Sequence, residues 1–93
     1  MLIYNPVDEN RPEFEDGVVV VIFKPGVTKL FATAKIEALG LQLTSFYERL
    51  GQGRVSVPTG QEDHFVTELQ KLTYLVDSAE RSILAYIQKG GLL

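Results

Sequence analysis

Residues 17–26 read GVVVVIFKPG, and the six consecutive β-branched or aromatic side chains from Val18 to Phe23 decide the fold. The run is too short for a membrane span and too β-branched for a favoured helix, and it is bounded by Gly17 and Pro25, so it predicts a central strand over Gly17–Lys24. Both faces of such a strand need cover. Helices can shield one, while alternation leaves about half of the large apolar side chains on the other, which makes that face a candidate binding surface.

Working outward from the strand, Pro25-Gly26 turns the chain and Thr28 can cap a helix in which Leu30, Phe31, Ala34, Ala38 and Leu39 recur at helical spacing. Gly40 supplies a left-handed stop, which places helix one at Thr28–Leu39. Leu41–Leu50 (LQLTSFYERL) alternates at first and slips near Ser45 and Phe46, as a strand with a bulge would. Gly51-Gln52-Gly53 is expected to form a hairpin turn into a short strand over Arg54–Val57, which Pro58-Thr59-Gly60 ends. A second helix starts near Gln61, with Phe65, Leu69 and Leu72 on one stripe and Val66 beside it. Periodicity leaves its end open: the stripe can run on through Val76 and Ala79, or the chain can leave the helix near Thr73 and extend to Ile87.

Strand, helix, strand, strand, helix, strand is the split βαβ plan, an α+β ferredoxin-like fold with a four-stranded antiparallel sheet and both helices on one face. Ninety-three residues make one domain. At that size roughly 60 to 65% of the unfolded surface is buried, enough for one two-layer core and too little for a large catalytic cleft. The expected division is an N-terminal arm over 1–16, rich in acid and punctuated by Pro6 and Pro12, a folded domain over 17–88, and a tail over 89–93.

Nine Lys and Arg against twelve Asp and Glu give a net charge of −3, and the basic residues are scattered singly, which argues against a nucleic-acid partner. The two central strands offer Phe23 and Arg54 in place of the interleaved aromatic and basic residues of an RNA-binding sheet. No stretch approaches the roughly 20 apolar residues of a membrane span, and the opening MLIYNPVDENRPEFED lacks the basic and apolar regions of a secretory leader. The chain has no cysteine, which fits a reducing compartment and slightly favours the cytoplasm, but secreted proteins can also lack cysteine and the compartment stays open.

Chemistry is sparse. His64, the one histidine, stands between Asp63 and Phe65 in the first turn of helix two, where a solvated role is expected rather than a triad or metal site. Glu13, Glu15 and Asp16 lack the spacing and glycine of a calcium loop and are expected to be solvated. Gly51-Gln52-Gly53 opens no helix and so forms no phosphate cradle. No enzymatic activity, cofactor or metal is expected.

Taken together, VVVVIFKPGV over Val18–Val27, the helix ending in Leu39-Gly40, VPTG at Val57–Gly60 and AERSIL at Ala79–Leu84 resemble the propeptide domain of subtilisin-type serine proteases and the stand-alone inhibitors related to it. The resemblance covers about Val18 to Ile87 and implies that helix two ends near Leu72, with Leu75–Ile83 as the fourth strand. It implies a partner, a subtilisin-type protease, which the domain inhibits or helps to fold in trans. The open sheet face would pack on two surface helices of the protease, and the segment after the last strand would lie in the substrate cleft. Residue by residue, Glu80 matches the family's acid that caps a protease helix. Ser82 stands where a second acid is usual, Arg81 stands where proline is usual, and Ala85, Tyr86, Ile87 and Gln88 match the cleft-binding segment. The alternative is a structural or regulatory module that forms a homodimer through the sheet and holds a small ligand there.

Overall fold

The computed structural model describes residues 12–86. Four strands and two helices follow in the order β1 (Pro12–Phe23), α1 (Lys29–Ala38), β2 (Gln42–Tyr47), β3 (Gln52–Ser56), α2 (Glu62–Gln70) and β4 (Val76–Tyr86). The strands lie in the order β2-β3-β1-β4 with every neighbouring pair antiparallel. This is the α+β, ferredoxin-like arrangement expected from the sequence, with the valine-rich strand in the interior of the sheet.

Alternation along β1 separates its side chains into two sets. Val19, Val21 and Phe23 enter one core with Ala32 and Ile36 of α1, Leu69 of α2, Val55 of β3 and Ala79 of β4, so both helices lie on the same side of the sheet. Thr28 caps α1 as expected, its hydroxyl accepting the Phe31 N–H at 3.1 Å. The open end of α2 is also resolved. The helix stops at Gln70, and the N–H groups of Leu75 and Val76 both donate to the Leu72 carbonyl, a tight reversal that turns Leu75 and Val76 into the core.

Three boundaries differ from expectation for identifiable reasons. β1 begins at Pro12 and not at Gly17, because β4 extends to Tyr86 and supplies a partner for the earlier residues; Gly17, at φ +71°, is absorbed by an irregularity instead of ending the strand. Residues 12–16, placed in the arm by composition, therefore belong to the sheet. The hairpin turns over 48–51, while Gln52 and Gly53 belong to β3. Gly53 is needed for space: a Cβ there would lie 2.9 Å from Leu43 Cδ1, Phe23 Cε2 and the Ser45 carbonyl oxygen. The bulge in β2 falls between Leu43 and Ser45, one residue earlier than the slip in the pattern. There the Thr44 hydroxyl donates to the Arg54 carbonyl at 3.1 Å.

Candidate functional site: the helix-free sheet face

The register assembles the second face. Val18 stands opposite Ser56, Val20 lies between Arg54 and Glu80, and Ile22 lies between Gln52 and Ser78. Tyr47 and Gln42 continue the outer side, opposite Gln52 and Ser56. The result is an aliphatic strip of Val18, Val20 and Ile22 inside a polar margin. All three are half-buried by their neighbours and covered by neither helix. An apolar centre with a polar rim is the anatomy of a protein–protein contact.

One end of this face carries a polar clasp that joins three strands. Glu15 of β1 accepts a hydrogen bond from the Ser82 hydroxyl of β4 at 2.8 Å and forms an ion pair with Arg54 of β3. A second guanidinium nitrogen of Arg54 donates to Ser82 Oγ at 3.4 Å. The Arg54 guanidinium first, and the Ser82 hydroxyl second, hold the Glu15 carboxyl below the usual carboxylate range.

On the opposite face, Glu62 ties β1 to the start of α2. Its carboxylate accepts the Gly17 N–H at 2.7 Å and the Gly60 N–H at 2.9 Å, and the side chain is buried. The Gly17 N–H is the main reason its carboxyl is also held below the ordinary range, with the Gly60 N–H and the charge of Arg81 adding to it. Arg81 approaches Glu62 at 4.0 Å and lays its guanidinium over the Phe14 ring, 4.4 Å from the centroid. Beside it runs a shallow groove of about 560 Å³ between α2 and the β4 edge, lined by Phe14, Val66, Ala79 and Ile83. Gln70 partly caps that edge by donating to the Ala79 carbonyl at 2.9 Å.

The residues expected to bind a partner are placed unequally. Glu80 is exposed on the helix-free face beside Val20. Ser82 shares that face but is buried within the clasp, so its hydroxyl is engaged inside the fold. Ala85 and Tyr86 continue β4, opposite Glu13 and Pro12 of β1. Ile87 and Gln88 lie outside the described residues. His64 is exposed, its ring edge-on to Phe65 with centroids 4.9 Å apart. Among the described residues no group of three or more His, Cys, Asp or Glu could hold a metal ion, and no helix is long and apolar enough to cross a membrane.

Three residues of these clusters, Glu15, Arg54 and Glu62, were not among the site residues expected from the sequence. Glu15 and Ser82 are 67 positions apart, and Arg54 lies between them, so nothing local announces the clasp. Glu62 did carry a signal. It is an acid at the first position of α2, where a negative charge meets the positive end of a helix.

Compared with protein-family models, with curated proteins and with solved structures, the chain gives no match. The likeness to subtilisin-type propeptides rests on the residues quoted for it.

Proposed function

We propose that this domain is a non-enzymatic, propeptide-like binder of a subtilisin-type serine protease, acting as inhibitor or folding assistant through its helix-free sheet face and C-terminal segment. The observation that carries the reading is the strip of Val18, Val20 and Ile22, half-buried at the centre of a sheet side that neither helix covers, with the exposed carboxylate of Glu80 next to Val20. Covering three such side chains is favourable by at most about 1.5–3 kcal/mol each, less the part already buried. Glu80 sits where an anion can meet the positive end of a partner helix, an interaction of about 0.3–1 kcal/mol. Ser82, turned inward to Glu15 and Arg54, acts as support for the face and not as a second cap.

The test is inhibition of a subtilisin-type protease by the purified chain, with Val20→Lys as the control. The expected result is slow inhibition at submicromolar concentration that Val20→Lys abolishes while the far-ultraviolet circular dichroism stays unchanged. Protease activity untouched by micromolar excess of chain overturns the proposal. A solution mass of twice the monomer, returning to one in Val20→Lys, would assign the same strip to a homodimer instead.

A further inference from the structure

The cleft-binding role assigned above to residues 85–88 meets an obstacle in the sheet itself. Ala85 and Tyr86 are not a free end: β1 runs alongside them, with Phe14 opposite Ile83, Glu13 opposite Ala85 and Pro12 opposite Tyr86. A strand that adds to a protease does so through a backbone edge, and the edge of residues 83–86 that faces β1 is already taken. A second strand about 4.8 Å away fills the space on that side. We infer that the outer part of β1, residues 12–16, is a strap that keeps residues 83–86 closed, and that it must peel away about Gly17 before that edge can meet a protease cleft. This inference rests on the propeptide-like reading.

The strap is weakly built everywhere except at its clasp. β3 no longer accompanies β1 beyond the Val18–Ser56 pair, so the strap and the end of β4 form a ribbon of two strands, which is marginal on its own. Register shifts fall between Glu13 and Phe14 and again between Phe14 and Val19, and Pro12 has no N–H to give. Gly17, at φ +71°, is anchored by Glu62, which makes it the natural hinge: its N–H is pinned to the start of α2, while residues 12–14 pair with β4. The closed position is then held by Glu15 on Ser82 and Arg54, and by the Phe14 ring under Arg81. Peeling breaks these contacts, leaves the Val20 strip in place, and frees the inner edge of residues 83–86.

The experiment uses the absence of native cysteine: Glu13→Cys with Ala85→Cys joins the strap to β4 at a facing pair. Oxidised, this variant is expected to inhibit the protease about tenfold or more less tightly than after dithiothreitol, while the wild-type chain is indifferent to the reductant. Glu15→Gln, which loosens the clasp, is expected to associate about two- to fivefold faster than wild type. Amide hydrogen exchange without any protease reads the strap directly: the amides of residues 13–16 and 83–86 should exchange well before those of 19–22, and Glu15→Gln should widen the gap. Equal inhibition by oxidised and reduced forms, a cysteine pair that will not oxidise, or ribbon amides as protected as the centre of the sheet would each overturn the strap. Failure of wild-type and reduced chains alike to inhibit, with early exchange of the ribbon, would overturn the protease reading and leave the opening ribbon standing.

Discussion

Val19, Val21 and Phe23 lie on the helix side of β1 and are almost wholly removed from solvent, whereas Val18, Val20 and Ile22 alternate with them and keep part of their surface on the helix-free side. The two sets are matched in chemistry and drawn from one strand. What separates them is the second layer. Ala32, Ile36 and Leu69 close over the first set, and among the described residues strand neighbours such as Arg54, Gln52 and Glu80 flank the second. One face therefore carries folding energy, and the other keeps apolar surface that neither helix buries.

The largest expected effect breaks or upholds this contrast directly. Val21→Ala removes two methyl groups from a fully buried site enclosed by both layers and should cost about 2–3 kcal/mol. Val20→Ala, one residue away, should cost less than about 1 kcal/mol, because its surroundings can relax into solvent. Urea unfolding followed by circular dichroism measures both, the chain having no tryptophan for fluorescence. Equal costs would mean that the helix-free side is as closed as the core.

A second variant tests how tightly the core side is shut at β3. Gly53→Ala should cost about 1–3 kcal/mol by overpacking. The new methyl meets Leu43 and Phe23, which can shift, but also the Ser45 carbonyl oxygen, which belongs to the backbone of the adjoining strand. A neutral result would show that β2 can move away from β3 at its bulge.

The third prediction compares the two anchored carboxylates. Glu62 and Glu15 both have folded-state pKa values below those of the unfolded chain, so each contributes stability that is fully present above the ordinary carboxylate value. In the acid range between the unfolded value and the lowered one, the unfolded chain binds more protons, and stability falls as pH falls. The contribution is gone once pH passes below the folded value. Glu62→Gln should flatten the acid limb of a stability–pH curve more than Glu15→Gln, since Glu62 is buried and holds two backbone N–H groups at the hinge and at the start of α2. A larger effect from Glu15 would move the main anchor from the helix side to the open side.

Strand existence, strand order and the helix layer were legible because they follow from patterns that act locally or by exclusion. Val18–Phe23 is too short for a membrane span and too β-branched for a favoured helix, Thr28 and Gly40 bracket α1, and a βαββαβ order leaves few ways to connect an antiparallel sheet. The extension of β1 to Pro12 was not legible, because PEFED is acidic and proline-led and pairs only with a partner more than 60 residues away. Ser82 posed the same difficulty. Its hydroxyl reads as a weak surface cap until Glu15 and Arg54 are brought to it from two other strands, and that meeting depends on tertiary register alone.

The smallest effect is the most diagnostic of what the open face is for. Glu80 is exposed beside Val20, so Glu80→Gln keeps the shape of the side chain and should leave the urea midpoint within about 0.5 kcal/mol of wild type. If a partner helix presents its N-terminus to this carboxylate, the same change weakens binding by about two- to fivefold, the equivalent of about 0.3–1 kcal/mol. The loss should shrink in high salt, since a partly solvated charge is screened. Binding of the partner that is blind to Glu80 yet abolished by Val20→Lys would leave the aliphatic strip as the whole contact and take away the charge that sets orientation. Binding blind to both would place the interface elsewhere, and Leu30 and Phe31 on the exposed side of α1, with Tyr74 nearby across Lys35, would then be the next surface to alter.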